Sequence, residues 1–146
     1  YAIKNIEDEA FKHGIGNERI IFAENLPHKN HLDRLKLADI FLDTFPYNAH
    51  TTASDAIRMG VPIVTLNGRS FASRVCTSIL NQVNMEKLTT SSVNKYEEIA
   101  IELGNNKDEL DKIKKEIKEN SINSTLFKTQ EFTKDLEKKF LNLIEK

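Results

Sequence analysis

The residues best equipped for chemistry are Ala49-His50-Thr51-Thr52-Ala53-Ser54-Asp55. They stand between two short apolar runs, Asp39 to Thr44, closed by Pro46, and Val61 to Leu66. The order strand, loop, helix, strand is that of a βαβ unit, so the fold class is α/β with parallel strands. In such a unit the helix begins beside the carboxyl end of the first strand, where unpaired amides and the positive end of the dipole attract anions. A histidine, two threonines and an acid one turn further in would suit a phosphate with a sugar hydroxyl beside it. The same letters also describe Thr51 or Thr52 as a plain helix cap and Asp55 as a solvated first-turn acid. Both readings stand on residue types alone.

Other reactive side chains are sparse. Ser70, Ser73 and Arg74 follow the second strand and so approach the same rim; Arg74 serves equally as a ligand contact or as an ion-pair partner fixing a loop. His28 and His31 are three apart, the spacing of a metal pair, but a third ligand would have to be His50, with no carboxylate or thiolate placed to complete the set, so no metal is expected. Cys76, the single cysteine, sits among Val75 and Ile79 and reads as a small packed residue rather than a nucleophile. It forms no internal disulfide framework, and a reducing compartment fits.

The chain has 146 residues, the length of one domain, and 21 basic against 22 acidic side chains give a net charge of −1. No overall field therefore points to nucleic acid or an anionic membrane. No run approaches the about 20 apolar residues of a membrane span, and the amino end lacks a signal pattern. The expectation is a soluble, cytoplasmic protein. Because the sequence opens on Tyr-Ala-Ile-Lys, it is expected to be a piece of a longer one.

The elements around the centre follow from spacing. Ile3, Ile6, Ala10 and Phe11 predict a helix ended by Gly14, and Arg19-Ile20-Ile21-Phe22-Ala23 predicts a strand. A polar loop from Glu24 to Lys29 leads to a short helix capped by Asn30, with Leu32 and Leu35 inward. Phe71, Val75, Ile79 and Val83 mark a further helix, and Met85 to Thr89 a further short strand. Asn94-xx-Glu97 and Asn106-xx-Glu109 are capping patterns for two more helices, the first stopped at Gly104 and the second striped by Leu110, Ile113 and Ile117. A looser stretch from Ser121 to Thr125 precedes the last helix, whose Phe132, Leu136, Phe140 and Leu143 form a stripe that needs a partner surface.

As an ordered set these residues resemble a known family. Arg19-Ile20-Ile21-Phe22, His31, Leu37 to Thr44, His50-Thr51-Thr52-xx-Asp55, Gly60 to Leu66, Ala72-Ser73-Arg74-Val75 and Ser124-Thr125-Leu126-Phe127 occur in this order in the protein O-linked N-acetylglucosamine transferases and their plant SPINDLY-like relatives. The likeness runs from about Arg19 to the carboxyl end. It implies a partial Rossmann-like fold, namely the later part of the carboxyl-terminal lobe of a GT-B glycosyltransferase, with parallel strands and several carboxyl-terminal helices; the whole chain, 1–146, would be a single domain within that lobe. It implies that His50, Thr51 and Thr52 hold the diphosphate of a nucleotide-sugar and that Asp55 binds the ribose. His31 would contact the uracil, and the backbone around Leu26 would pair with the base edge.

The sequence departs from the family in three places. His28 stands where the animal enzymes carry a lysine near the nucleotide, which leaves the base and sugar open. Ala53 replaces a frequent glycine. The first strand and phosphate-binding lysine loop of the lobe would lie upstream of Tyr1, as would the amino-terminal lobe with the catalytic residues and the tetratricopeptide helices of the parent. In that frame a strand at Ile20 lacks its neighbours, which implies a homo-oligomer or a strand swap. The function implied is donor binding in an inverting transferase that moves a sugar from a UDP- or GDP-linked donor to Ser/Thr of a protein acceptor, with no cofactor or metal and no nucleic acid or membrane partner. The alternative is a catalytically inactive nucleotide-binding or protein-interaction module.

Overall fold

The computed structural model describes residues 1–144. Its centre is a parallel sheet in the order β1 (Phe41–Leu42), β2 (Ile63–Leu66), β3 (Thr89–Thr90), paired Phe41 with Ile63, Leu42 with Val64, Thr65 with Thr89 and Leu66 with Thr90. All four residues of β2 are buried. That is why this stretch shows no alternation: a central parallel strand is covered on both faces.

α3 (Thr51–Arg58) joins β1 to β2 and buries Ala53, Ala56 and Ile57, the i, i+3, i+4 stripe of a helix lying on a core. It packs on β2, as do α4 (Val75–Gln82) and α5 (Val93–Asn105). α6 (Lys107–Asn123) lies against α3 and α5 through Leu110, Ile113 and Ile117. Ile57, Ile63, Leu80 and Ile117 are fully enclosed there, each burial stabilising the fold by roughly 1.5–3 kcal/mol. The last helix, α7 (Thr129–Ile144), has none of its residues buried: Phe132, Leu136, Phe140 and Leu143 are all exposed.

The chain divides into two compact units, Tyr1–His31 and Leu32–Lys146. The first holds α1 (Ala2–Lys12), stopped where Gly14 takes φ +75°, and a 3-10 turn at Asn17–Arg19. The strand expected over Arg19 to Ala23 does not form: Ile20 is extended but its amide donates to the Asn17 carbonyl rather than to another strand, and Ile21 is 88% exposed. Three β-prone residues make a strand only where another strand takes up their amides and carbonyls, and the composition of the run says nothing about that neighbour.

Smaller differences have local causes. α2 (His28–Leu35) starts directly after Pro27, so Asn30 is inside it rather than at its cap. The helix expected from Phe71 begins at Val75, because residues 70–74 close a turn on Ser73. α5 is capped by Ser92, whose hydroxyl accepts from the Lys95 amide, not by Asn94, and it runs through Gly104. Asn106 caps α6 by accepting from Glu109, as expected, but α6 continues to Asn123 through the stretch read as loose. The region Met85 to Thr89 is mostly a 3-10 turn, Glu86–Leu88, and β3 follows it.

α3 ends in a Schellman motif. The amide of Val61 donates to the Ala56 carbonyl and that of Gly60 to Ile57, with Gly60 at φ +78°. This turn drops the chain straight into β2. Gly60→Ala forces a Cβ into the left-handed region and should cost about 1–2 kcal/mol. Gly104→Ala, inside α5 with open space around it, should instead stabilise by about 0.5–1 kcal/mol. Urea denaturation of the two variants should move the midpoint in opposite directions.

Candidate functional site

β1 delivers the chain to Asp43, which is 1% exposed although it is an acid. One carboxylate oxygen accepts from the Ala49 amide at 2.7 Å and the other from the Thr65 hydroxyl at 2.7 Å. The carbonyl of Asp43 accepts from the Tyr96 hydroxyl at 3.0 Å. One residue thus ties the loop before α3 to the middle of β2 and to α5. Its charge is felt nearby: burial first, and then the Asp43 charge, push the Cys76 thiol far above its ordinary range, and the same two causes raise the Tyr96 phenol. Cys76 is therefore a packed thiol and not a nucleophile.

Asn48, equally buried, completes the loop. Its amide donates to the Ala72 carbonyl at 3.1 Å, and its side-chain nitrogen donates to the Thr44 carbonyl at 2.9 Å. The strand, the loop to Asn48 and the segment after β2 are thereby fixed at the carboxyl edge of the sheet. A cis bond joins Phe45 to Pro46 within that loop.

α3 then starts in this frame. His50 is its N-cap residue but makes no side-chain capping bond, so the first amides of the helix keep their donors for something else. Thr51 and Thr52 are thus the first helical residues rather than caps, and both are exposed. They open, with Asp43, Tyr47, Asn48 and His50, on a cleft of about 380 Å³. The ring of His50 stacks on Tyr47 with centroids 5.0 Å apart and meets Phe71 edge to face at 6.0 Å. Asp55 is half-buried one turn into α3. Beyond β2, Gly68 and Ser73 close a tight turn: a Cβ at Gly68 would collide with the Ser73 side chain. Arg74 is the exposed N-cap residue of α4 on this edge.

His50, Thr51 and Thr52 line this cleft; Asp55 stands one turn further along α3, and Arg74 is the N-cap residue of α4. Leu26, His28 and His31 belong to the first unit: Leu26 is half-buried in an irregular stretch, His28 opens α2, and His31 lies half-buried in its first turn. Among the described residues no three His, Cys, Asp or Glu side chains converge as a metal-holding group. Sequence reasoning missed Asp43 and Asn48; an acid at the very end of an apolar strand was the one available signal.

A parallel sheet that turns its cleft and a helix amino end to the same carboxyl edge is a Rossmann-like α/β arrangement. The chain belongs to glycosyl transferase family 41, whose model matches residues 2–136. It is 33% identical over 131 residues to a probable UDP-N-acetylglucosamine–peptide N-acetylglucosaminyltransferase, SEC, of Arabidopsis thaliana, covering 89% of this chain and 13% of the relative. It is 33% identical over 134 residues to the UDP-N-acetylglucosamine–peptide N-acetylglucosaminyltransferase of Caenorhabditis elegans, covering 92% and 12%. Among solved structures, a lysine-to-methionine mutant of Thermobaculum terrenum O-GlcNAc transferase superposes with a TM-score of 0.86 at 27% identity, over 94% of this chain and 26% of that one. The chain thus spans a small part of the length of each relative.

The Asp43 junction makes a direct prediction. Asp43→Ala removes both acceptors and leaves the half-buried Ala49 amide and the buried Thr65 hydroxyl without their partner. It should destabilise the fold by about 2–4 kcal/mol, seen as a lower urea midpoint; a shift within error would mean that Asp43 does not hold the junction together.

Proposed function

We propose that this chain supplies part of the nucleotide-sugar-binding surface of a protein O-glycosyltransferase similar to the O-GlcNAc transferases, within the carboxyl-terminal lobe of a GT-B enzyme. The observation that carries this reading is the uncapped start of α3, with Thr51 and Thr52 exposed on the cleft at the carboxyl edge of the sheet. Two hydroxyls, the first-turn amides and the helix dipole together form a site for the diphosphate of a UDP- or GDP-linked sugar. His50 would border that group. Asp55 would accept from a ribose hydroxyl, and Arg74 would add positive charge at the rim.

Such a surface acts by differential binding. As the bond from the anomeric carbon to the leaving phosphate breaks, negative charge grows on the diphosphate, and fixed amides and hydroxyls aimed at it stabilise that charge. Attack by a Ser/Thr hydroxyl of the acceptor from the opposite face would invert the anomeric centre. The groups that activate the acceptor are assigned to the larger part of such an enzyme that this chain does not include. Peptide acceptors are named for the relatives, and a cytoplasmic setting is part of the proposal; no described helix is long and apolar enough to cross a membrane.

A second reading, a binding module without turnover, is favoured by the exposed apolar side of α7. A hollow of about 490 Å³ lies along that helix, larger than the cleft at α3. Size does not decide between them, because only the α3 cleft is lined by a helix start with its amides uncapped.

Calorimetric titration of the chain with UDP and with GDP tests the donor reading. Thr51→Ala combined with Thr52→Ala removes two hydroxyl donors to a charged group, so affinity should fall on the order of a hundredfold. The thermal midpoint should hardly move, since both side chains are exposed. Undiminished affinity in the double variant would overturn the assignment.

A further inference from the structure

The ring of His50 is held on three sides by groups that the donor reading leaves without a part. Tyr47 lies along one face, its plane only 18° from that of the imidazole. Phe71 approaches at 85°. Nε2 lies 3.4 Å from the carbonyl oxygen of Ala72. A carbonyl can only accept, so the hydrogen of this bond resides on Nε2 and that nitrogen is committed to the protein. Nδ1 is then the ring nitrogen left for a ligand: without a hydrogen it accepts from a ligand hydroxyl, and only the imidazolium, with hydrogens on both nitrogens, donates to a phosphate oxygen.

Tyr47 and Phe71 are 67% and 75% exposed, and neither belongs to the buried core. Their packing therefore contributes little to the fold compared with the enclosed residues of α3 and β2. What their placement does settle is the angle of one half-buried imidazole on the cleft wall. A free histidine side chain turns about two bonds; a stacked face, an edge contact and a hydrogen bond leave it one orientation.

We propose that Tyr47 is a positioning residue, with Phe71 as its second support, that fixes the His50 ring with Nε2 on Ala72 and Nδ1 available to a ligand in the cleft. For the identity of that ligand, a nucleoside diphosphate, the proposal rests on the donor-binding reading; for the orientation of the ring it stands by itself. The proposal extends the site to two aromatic residues outside the His-Thr-Thr-xx-Asp set. It also assigns different duties to the two nitrogens of His50.

Imidazole proton–nitrogen correlation spectra of the labelled chain test it, with UDP as the probe. The wild-type His50 ring should carry its hydrogen on Nε2, and UDP should displace the Nδ1 signal more than the Nε2 signal. Tyr47→Phe keeps the stack and should leave both signals and the UDP affinity in place. Tyr47→Ala should shift the ring signals and weaken UDP binding roughly two- to tenfold, the range expected for loss of one stacked aromatic pair, while the backbone amide spectrum stays folded. Phe71→Ala serves as the second variant should Tyr47→Ala fail to fold, with a smaller shift of the same His50 signals. Ring signals unmoved in the alanine variants, or a hydrogen on Nδ1 with none on Nε2, would overturn the positioning role. Absence of UDP binding to the wild type would overturn the donor reading instead, and the ring signals would still decide the orientation.

Discussion

A single buried carboxylate holds the functional edge of this chain together. Asp43 has no basic partner among its described bonds; its charge is met by the Ala49 amide and the Thr65 hydroxyl, each at 2.7 Å. A carboxylate taken out of water is costly unless donors replace the lost hydration, so the groups around it are held to narrow positions. Those positions belong to a strand, to the loop that starts α3 and to the middle of the sheet. The helix start is in this way defined from beneath, by a bond to the residue two before it, rather than by a cap of its own. Its first amides carry no side-chain cap, and the loop before them is held instead by Asp43 through the Ala49 amide.

The same division explains where stability and recognition separate. Ala53, Ala56 and Ile57 are buried on one side of α3, while Thr51 and Thr52 are exposed at its start. One helix therefore presents a packed face to β2 and polar groups to the cleft, and changes to either set need not disturb the other. The Schellman turn at Gly60 closes the far end of the helix and sets the distance over which this separation holds.

How far the sequence disclosed all this depended on how local each signal was. β2 and α3 were legible because the apolar run from Val61 to Leu66 and the stripe of α3 are contained in neighbouring residues. Asn106 was legible as a cap for the same reason. The cap of α5 was misplaced at Asn94, since Ser92 also offers an oxygen near the same helix start and only backbone geometry selects it. The run Arg19 to Ala23 misled because strand formation is a property of two segments, and the sequence of one cannot supply the other. Asp43 was missed as a junction because its partners Thr65 and Tyr96 lie far along the chain. The pattern placed His50, Thr51 and Thr52 at a helix start, where α3 begins, but gave no sign of Tyr47 and Phe71, which become neighbours of His50 only through the loop geometry.

One buried feature also gives the molecule a built-in clock. The lone sulfur at Cys76 is sealed in the interior and kept in its protonated form, so an alkylating reagent has no target until the surrounding helices part. The pace at which that atom is modified therefore counts excursions of the central sheet away from its closed arrangement, with no engineered label and no second thiol to confuse the tally.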